Sequence, residues 1–340
     1  MGKILVTGGC GYIGSHTLVD LIESGYEVIS LDSLVNSSDA VLDAIKDITG
    51  TLVVNHRIDL VDKNALAALF EAEDIDGIIH FAALKNVGES VQQPLRYHRN
   101  NVVGLLNLIE LQQKHEVQHF IFSSSCSVYG NTDQLPVTED TPMAPAESPY
   151  GRTKQICEGI ITDVAGAYSQ MKFINLRYFN PAGAHPTIKM GESPINTALN
   201  LVPIITETGI GKRESITVHG DDYDSRDGSC VRDYIHVMDL ARAHTLSYQF
   251  ITSAKMQGNL EVFNLGSGAG STVLEAITAF EAASGVKLNY QIGPRREGDV
   301  VAIYADHNKA TELLSWQPKY TMQDIMQTAW EWEVKRSDPS

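Results

Sequence analysis

The chain is short of the features that mark several large classes of protein. Cysteine is scarce: Cys10, Cys126, Cys157 and Cys230 are widely spaced, and no two form a CxxC. A disulfide framework is not expected, and a reducing, cytoplasmic setting is. The 11 histidines are scattered without ligand spacing, so no metal site is expected. Positive charge is in deficit, with 26 Lys and Arg against 42 Asp and Glu and a formal net charge of −16. That balance argues against nucleic acid as the main partner. It leaves room for an anionic small ligand, which needs only local cations and backbone amides. No apolar run reaches membrane-spanning length, so no membrane association is expected. The first residues enter a strand-like segment directly, with no signal-peptide layout. No internal repeat or low-complexity tract interrupts the chain. What remains is ordinary: 43% hydrophobic and 20% charged residues over 340 positions, enough for two domains or one large one.

The opening residues carry the first positive signal. Lys3–Thr7 is a short β-branched run that reads as a buried strand. Gly8, Gly9, Gly11 and Gly14 follow, and then an apolar periodic segment through Leu21 and Ile22. Strand, glycine turn, helix is the context a dinucleotide fingerprint requires. The glycines permit a tight turn and a close backbone approach to a pyrophosphate, and the helix start supplies amides and a positive dipole end. A second strand over Glu27–Leu31 ends at Asp32, where an acidic side chain binds adenosine ribose hydroxyls. A carboxylate there repels a 2′-phosphate and so favours NAD over NADP. Asp59 precedes a helix over Ala65–Phe70 and lies in reach of an adenine. Gly77–Phe81 reads as a further strand, whose end leads through small residues to Lys85, the nearest cation to that bend. Asn100 and Asn101 are placed to start a helix over Val102–Leu111.

A strand over Phe120–Phe122 then ends in Ser123–Ser127. Ligands of open parallel sheets sit off the carboxyl ends of the strands. Twenty-five residues after Ser125 comes Tyr150, within Ser148-Pro149-Tyr150-Gly151-Arg152-Thr153-Lys154. Serine before proline marks a helix start, so Tyr150 and Lys154 share a helix face. A free tyrosine, with a pKa near ~10, is a poor base at neutral pH. An ammonium about 5 Å away, at an effective dielectric near ~20, favours the phenolate by roughly 3 kcal/mol. Ser125, Tyr150 and Lys154 are therefore the candidate catalytic set. Tyr168 and Lys172 repeat the spacing without a Ser-Pro start or serine-rich strand end, and read as a solvated helix face.

After a strand over Phe173–Leu176 the periodicity loosens, and short strands and helices alternate with Gly, Pro and Asn loops. A boundary near Asn180 follows: residues 1–180 form a dinucleotide-binding domain, and 181–340 a smaller substrate domain with some segments returning to the first. The fold class is α/β, a Rossmann-type doubly wound parallel sheet with a smaller C-terminal α/β domain. Arg232, and Arg295 and Arg296 of RREGD (295–299), are the arginine sites of that domain best able to hold a diphosphate.

The segments TGGCGYIGSH (7–16), HFAALKNVGES (80–90), FSSSCSVYG (122–130), SPYGRTK (148–154), LRYFNPAGAHP (176–186), DGSCVRDYIHVMDLA (227–241) and RREGD (295–299) together resemble the UDP-glucose 4-epimerase family of the extended short-chain dehydrogenase/reductases, over nearly the whole chain. The resemblance implies tightly held NAD, a UDP-sugar substrate and a homodimer formed by helices packing as a bundle. It implies cofactor contacts from Gly8, Gly11, Tyr12, Ile13, Gly14, Asp32, Asp59, Phe81, Lys85, Asn100, Tyr150, Lys154 and Phe179. Ser125, Tyr150, Asn180, Asn200, Leu201, Arg232, Arg296 and Asp299 are the implied nucleotide-sugar contacts. Three positions and one segment depart from the family pattern: Ser33 follows the ribose aspartate in place of asparagine, Ile195–Leu199 differs from an asparagine-rich segment although Asn200 and Leu201 remain, His219 stands where a phenylalanine near the uracil is usual, and Ile303 stands where tyrosine or cysteine lines the sugar's 2-substituent. A UDP-N-acetylglucosamine 4-epimerase or a dual-specificity enzyme is the alternative reading. A nucleotide-sugar 4,6-dehydratase typically shows Asp-Glu after the strand-end Ser/Thr, where this chain has Cys126-Ser127. A non-catalytic regulator responsive to NAD or a sugar nucleotide is the reading from another class, and the intact Ser/Tyr/Lys set argues against it.

Overall fold

A computed structural model describes residues 2–296 and 299–338; Glu297 and Gly298 of the RREGD segment lie outside the described residues. The chain forms strands β1 (Lys3–Thr7), β2 (Val28–Leu31), the two-residue polar β3 (Asn55–His56), β4 (Ile75–His80), β5 (His119–Ser125) and β6 (Lys172–Tyr178), and all but β3 hold an apolar run. With Leu260–Leu265 they make one parallel seven-stranded sheet in the order Leu260–Leu265, β6, β5, β4, β1, β2, β3. A parallel sheet is covered on both faces, and β1 shows why its central residues Ile4, Leu5 and Val6 are all apolar. Ile4 and Val6 enter a core with Leu18 and Val19 of the helix Tyr12–Glu23 and Leu240 of the helix Val237–Ile251. Leu5 faces the opposite core, with Leu66 of Lys63–Ala72, Leu105 and Leu108 of Gly104–Lys114, and Ile161 of Pro149–Ala167. The chain winds outward from β1 through β2 and β3, then returns to place β4 on the other side of β1. The reversal opens a crevice at the carboxyl ends of β1 and β4, where open α/β sheets bind ligands.

Several elements differ from the sequence reading. Strand β5 continues through Ser125, because Ser123, Ser124 and Ser125 pair with Leu176, Arg177 and Tyr178 of β6. Asn100 and Asn101 do not start a helix. They lie in a π-helical turn, His98–Val103, inside a helical run that opens at Pro94 and ends at Lys114. Tyr168 and Lys172 share no helix face, since the helix ends at Ala167 and Lys172 begins β6.

The later residues build a smaller second layer. Strands Asn180–Ala182, Gly270–Thr272 and Ala302–Ile303 each pair with Val231–His236. Ile216–His219 pairs with Tyr290–Gly293. Val202, Ile205, Phe280 and Met326, from the helices Leu201–Gly209, Val273–Ser284 and Met322–Ser337, form a separate core beneath them. The helix Val237–Ile251 and the strand Leu260–Leu265 come from this half of the chain yet pack into the large sheet.

Candidate active site

The glycine loop turns directly off β1. Gly8 has φ +72°, and a Cβ there would lie 2.8 Å from the Ala82 amide nitrogen. A Cβ on Gly14 would lie 2.2 Å from the Gly8 carbonyl. Both positions thus require glycine, the first for its conformation and the second for the approach of helix to strand. Gly11 stands at the N-cap with no side-chain cap, and the first turn, holding Tyr12, Ile13 and Gly14, carries no acidic residue. Its amides are left to point at an anion. Asp32, at the end of β2, is buried and oriented by three donors: the Cys10 amide at 3.1 Å, the Leu34 amide at 2.9 Å and the Ser37 hydroxyl at 2.7 Å. An uncapped helix start, a cradle closed to any Cβ and an oriented carboxylate at the second strand fit a dinucleotide with free ribose hydroxyls, as in NAD.

The other cofactor-side candidates line the same sheet edge. Phe81 leaves β4 with its ring centroid 4.5 Å from that of His244. Tyr12 donates its hydroxyl to the Gly183 carbonyl at 2.6 Å. Lys85 is exposed, with its ammonium 3.9 Å from Glu192. Asn100 donates to the Asn101 side chain, which is the more deeply engaged of the two. Asn101 accepts from the Leu84 amide and donates to the Leu84 carbonyl and the Thr153 hydroxyl, tying the Lys85 loop to the helix Pro149–Ala167. Asp59 is exposed, its carboxylate accepting from the Val61 amide, and the hydrogen bonds tie it to no other candidate.

Ser148 caps the helix Pro149–Ala167 by accepting from the Gly151 amide at 3.1 Å, so Tyr150 sits in the first turn. Burial pushes the Tyr150 hydroxyl above its ordinary value, and neighbouring Tyr178 adds to that. A hydrogen bond with Ser125 works in the opposite direction. Lys154, one turn on, is buried. It donates to the Ser123 carbonyl at 2.6 Å and lies 4.7 Å from the Phe122 ring centroid. Burial lowers it to about 8, while Cys157 and Glu158 hold it up. The sequence reading gave Lys154 the task of charging Tyr150. Here the hydroxyl that favours the phenolate is Ser125, and the ammonium is aimed at β5.

On the substrate side, Arg232 and Arg296 converge on one carboxylate. Arg232 donates to Asp299 at 3.3 Å and to the Val231 and Val300 carbonyls, and Arg296 donates to Asp299 at 2.8 Å. Arg295 turns away, paired with Asp222 and stacked 4.2 Å from the Tyr223 ring centroid. Ile303 is register partner to Arg232 and is buried with Val128 and Phe179. Asn180 pairs with Tyr234 at the start of the second sheet. Asn200 stands before the helix Leu201–Gly209 and donates to Glu192 at 2.9 Å; Leu201 packs into the core below. His219 ends its strand 3.4 Å from the Pro294 carbonyl.

Sequence reasoning passed over Tyr178, Ser123, Glu158 and Glu192. Tyr178 lies beside Ser125 in strand register, and a hydrogen bond with Ser123 lowers its hydroxyl against the stronger effect of burial. These roles depend on register between segments some fifty residues apart, and no local motif carries it.

The doubly wound sheet, the dinucleotide cradle and a tyrosine and lysine on one helix turn define a Rossmann-type NAD enzyme. A profile of the family described as GDP-mannose 4,6 dehydratase matches residues 5–329. The UDP-glucose 4-epimerase of Dictyostelium discoideum is 45% identical over 97% of this chain and 95% of its own. A UDP-glucose 4-epimerase from Bifidobacterium longum, solved with NAD+ and UDP, superposes with a TM-score of 0.94 at 42% identity, covering 98% of this chain and 99% of that one. One from Stenotrophomonas maltophila, solved with NAD and formylated UDP-arabinopyranose, gives 0.96 at 42% identity over 99% of both. Within that broader group of nucleotide-sugar enzymes, the chain belongs to the UDP-glucose 4-epimerase family.

Proposed function

We infer that the chain is an isomerase that interconverts UDP-galactose and UDP-glucose by inverting C4 of the hexose. The observation that carries this is Tyr150 beside Ser125, one turn from buried Lys154, at the sheet edge beside the dinucleotide cradle. Bound NAD supplies the acceptance and return of hydride. The chain's own groups handle the proton. Tyr150, in the phenolate form that the Lys154 charge and the Ser125 hydroxyl favour, takes the proton of the sugar 4-hydroxyl and later returns it, as a general base and then a general acid. Ser125 donates to the oxygen when it is charged, and burial restores the proton to Tyr150 afterwards. Lys154, held on the Ser123 carbonyl, keeps a positive charge beside this exchange. Arg232 and Arg296, gathered by Asp299, retain the diphosphate while the sugar turns over. A reaction that ends at the oxidation state where it began has no need to release its cofactor.

The same reading extends to assembly and place. Val87 and Val91 of the helix Val87–Gln92, and Leu95, Val103 and Leu106 of the helical run 94–114, are exposed, with Leu95 83% exposed. An apolar stripe of that kind supports a homodimer formed by helix packing. Among the described residues no helix is long and apolar enough to cross a membrane. A cytoplasmic setting rests on the cysteine pattern. Residues 1–180 act as the NAD domain and 181–340 as the nucleotide-sugar domain, with Leu260–Leu265 contributed back to the first.

Ile303 favours a second, weaker activity on N-acetylated UDP-hexoses. It is smaller than tyrosine, which leaves volume for an acetamido group, but Cβ branching stops it from swinging aside. One apolar contact discriminates by only about 1–3 kcal/mol. The test is to incubate the purified protein, without added dinucleotide, with UDP-galactose and with UDP-N-acetylgalactosamine, and then to repeat both with Ile303→Tyr. The expected result is efficient conversion of the first, slow conversion of the second, and selective loss of the second in the variant. No conversion of UDP-galactose sinks the main reading; an unchanged ratio of the two activities sinks the role given to Ile303.

A further inference from the structure

Glu158 lies one helical turn beyond Lys154, on the same face of the helix Pro149–Ala167. It is buried, and its carboxylate is fully engaged. Arg177 gives Nε to both oxygens, at 3.0 and 3.2 Å, and a terminal nitrogen to Oε2 at 2.6 Å. The Ser124 hydroxyl donates to Oε1. Ser124 and Arg177 are register partners across β5 and β6, and the next pair along is Ser125 and Tyr178. Arg177 is itself held by the Tyr129 hydroxyl at 3.1 Å and the Glu139 carbonyl at 3.3 Å, and Tyr129 donates to Asn264 at 2.6 Å. The carboxylate is thus held rigidly between the helix that carries Tyr150 and Lys154 and the strand ends that carry Ser125 and Tyr178. A buried ion pair gives little or no net stability over a well-packed apolar pair, so stability alone is a poor account of it.

We propose that Glu158 is a positioning residue of the proton-handling site: clamped by Arg177 and Ser124, it supplies the fixed negative charge that keeps the Lys154 ammonium protonated and aimed at the Ser123 carbonyl. This rests on the reading of Lys154 as a working cation beside Tyr150. Among the described residues around Lys154, Glu158 is the carboxylate whose charge holds the ammonium up, and it is shared with the Arg177 guanidinium of β6. On its own helix stand Tyr150, Cys157 and Glu158; β5 contributes the Phe122 ring and the Ser123 carbonyl; β4 contributes His80. Burial lowers His80 to about 3 and pushes the Cys157 thiol up to about 12, so both are neutral at neutral pH. Tyr150, raised, is neutral as well. Burial has already brought Lys154 to about 8, close enough to neutrality for the loss of one nearby charge to matter.

The test uses the holoenzyme and two readouts. Glu158→Gln keeps the shape and leaves an acceptor for Ser124 while removing the charge. In protein carrying 13C at lysine Cε, with the Lys154 signal identified by its loss in Lys154→Met, the titration midpoint should fall by at least about half a pH unit in Glu158→Gln. The basic limb of the kcat profile for UDP-galactose should move down in step, with KM within about twofold, and Glu158→Asp should recover most of both. A folded Glu158→Gln with a wild-type midpoint, or with a loss of kcat equal at every pH, overturns the proposal. If Arg177 left without its counter-charge prevents folding, the pair Glu158→Gln with Arg177→Gln is compared with Arg177→Gln alone, and a midpoint no lower in the pair overturns the proposal. Wild-type turnover reports separately on the function: an inactive wild type with a shifted midpoint removes that reading and leaves the pairing standing.

Discussion

At the scale of single residues, the surroundings of Tyr150 bear on the roles proposed for Ser125, Tyr150 and Lys154. Burial and Tyr178 both raise the hydroxyl, and the Ser125 hydroxyl pulls the other way. The phenolate that the proposed proton transfer needs is therefore favoured by Ser125 and opposed by burial. Tyr150→Phe keeps the ring and deletes the acidic oxygen. It should bind UDP with near wild-type affinity and lose turnover of UDP-galactose by roughly 10²-fold or more. Tyr168→Phe is the control, since Tyr168 only terminates a helix and borders the core. Its steady-state kinetics should match wild type, and equal losses in the two variants would remove Tyr150 from its role. These positions were legible in the sequence because each sits in a local signal: serines at a strand end, a proline-started helix and a four-residue spacing. Glu158, Tyr178 and Asn101 were not, because what they do is set by partners far away in the chain. The task given to Lys154 was legible in part: spacing placed it on the right face, but the Ser123 carbonyl that draws its ammonium becomes visible only with β5 in place.

At the scale of elements, the site is built where short connections meet the sheet edge. The strands of the first half were readable where each is a compact apolar run bounded by turn residues, and β1 matches its expected bounds; the two polar residues of β3, Asn55–His56, carried no such signal and were not read. The run from Pro94 to Lys114 was not, because its apolar period begins only after Val102 while its start is marked by Gln93-Pro94. That misreading concealed the function of Asn101, which faces inward from the π-helical turn and joins the Lys85 loop to the catalytic helix. Asn101→Ala leaves the Leu84 amide and carbonyl without their partner. It should destabilise the fold by about 1–3 kcal/mol, the cost of an unsatisfied buried group. Denaturant unfolding of the purified variant measures this directly; a midpoint equal to wild type would show that the loop is held by something else.

At the scale of the whole molecule, the parallel sheet depends on both halves of the chain, and its interior holds histidines in the neutral form. His16, His80, His236 and His244 are all buried, and burial lowers them to about 3, 3, 4 and 4. In the unfolded chain each titrates near ~6.5. Below that pH the unfolded state binds protons that the native state refuses, so stability falls with falling pH. The contribution is complete above about 6.5 and is lost as pH drops toward 4. Between pH 7.0 and 5.5 the melting temperature should fall by roughly 5–10 °C. Calorimetry at the two values checks this; a melting temperature that rises would mean that the raised carboxylates of Glu139 and Glu192, which act in the opposite sense, dominate.

The account turns on one claim, that inversion at C4 is completed inside a closed site by the Ser125/Tyr150/Lys154 set with cofactor already held. Proton NMR of UDP-galactose incubated with the purified protein in deuterium oxide, with no dinucleotide added, tests it most directly. The prediction is growth of UDP-glucose to an equilibrium mixture with the H4 signal of both sugars at full intensity, since hydrogen is returned to C4 and never exchanged with solvent. Loss of the H4 signal, a product lacking its 6-hydroxyl, or dependence on added NAD would contradict it.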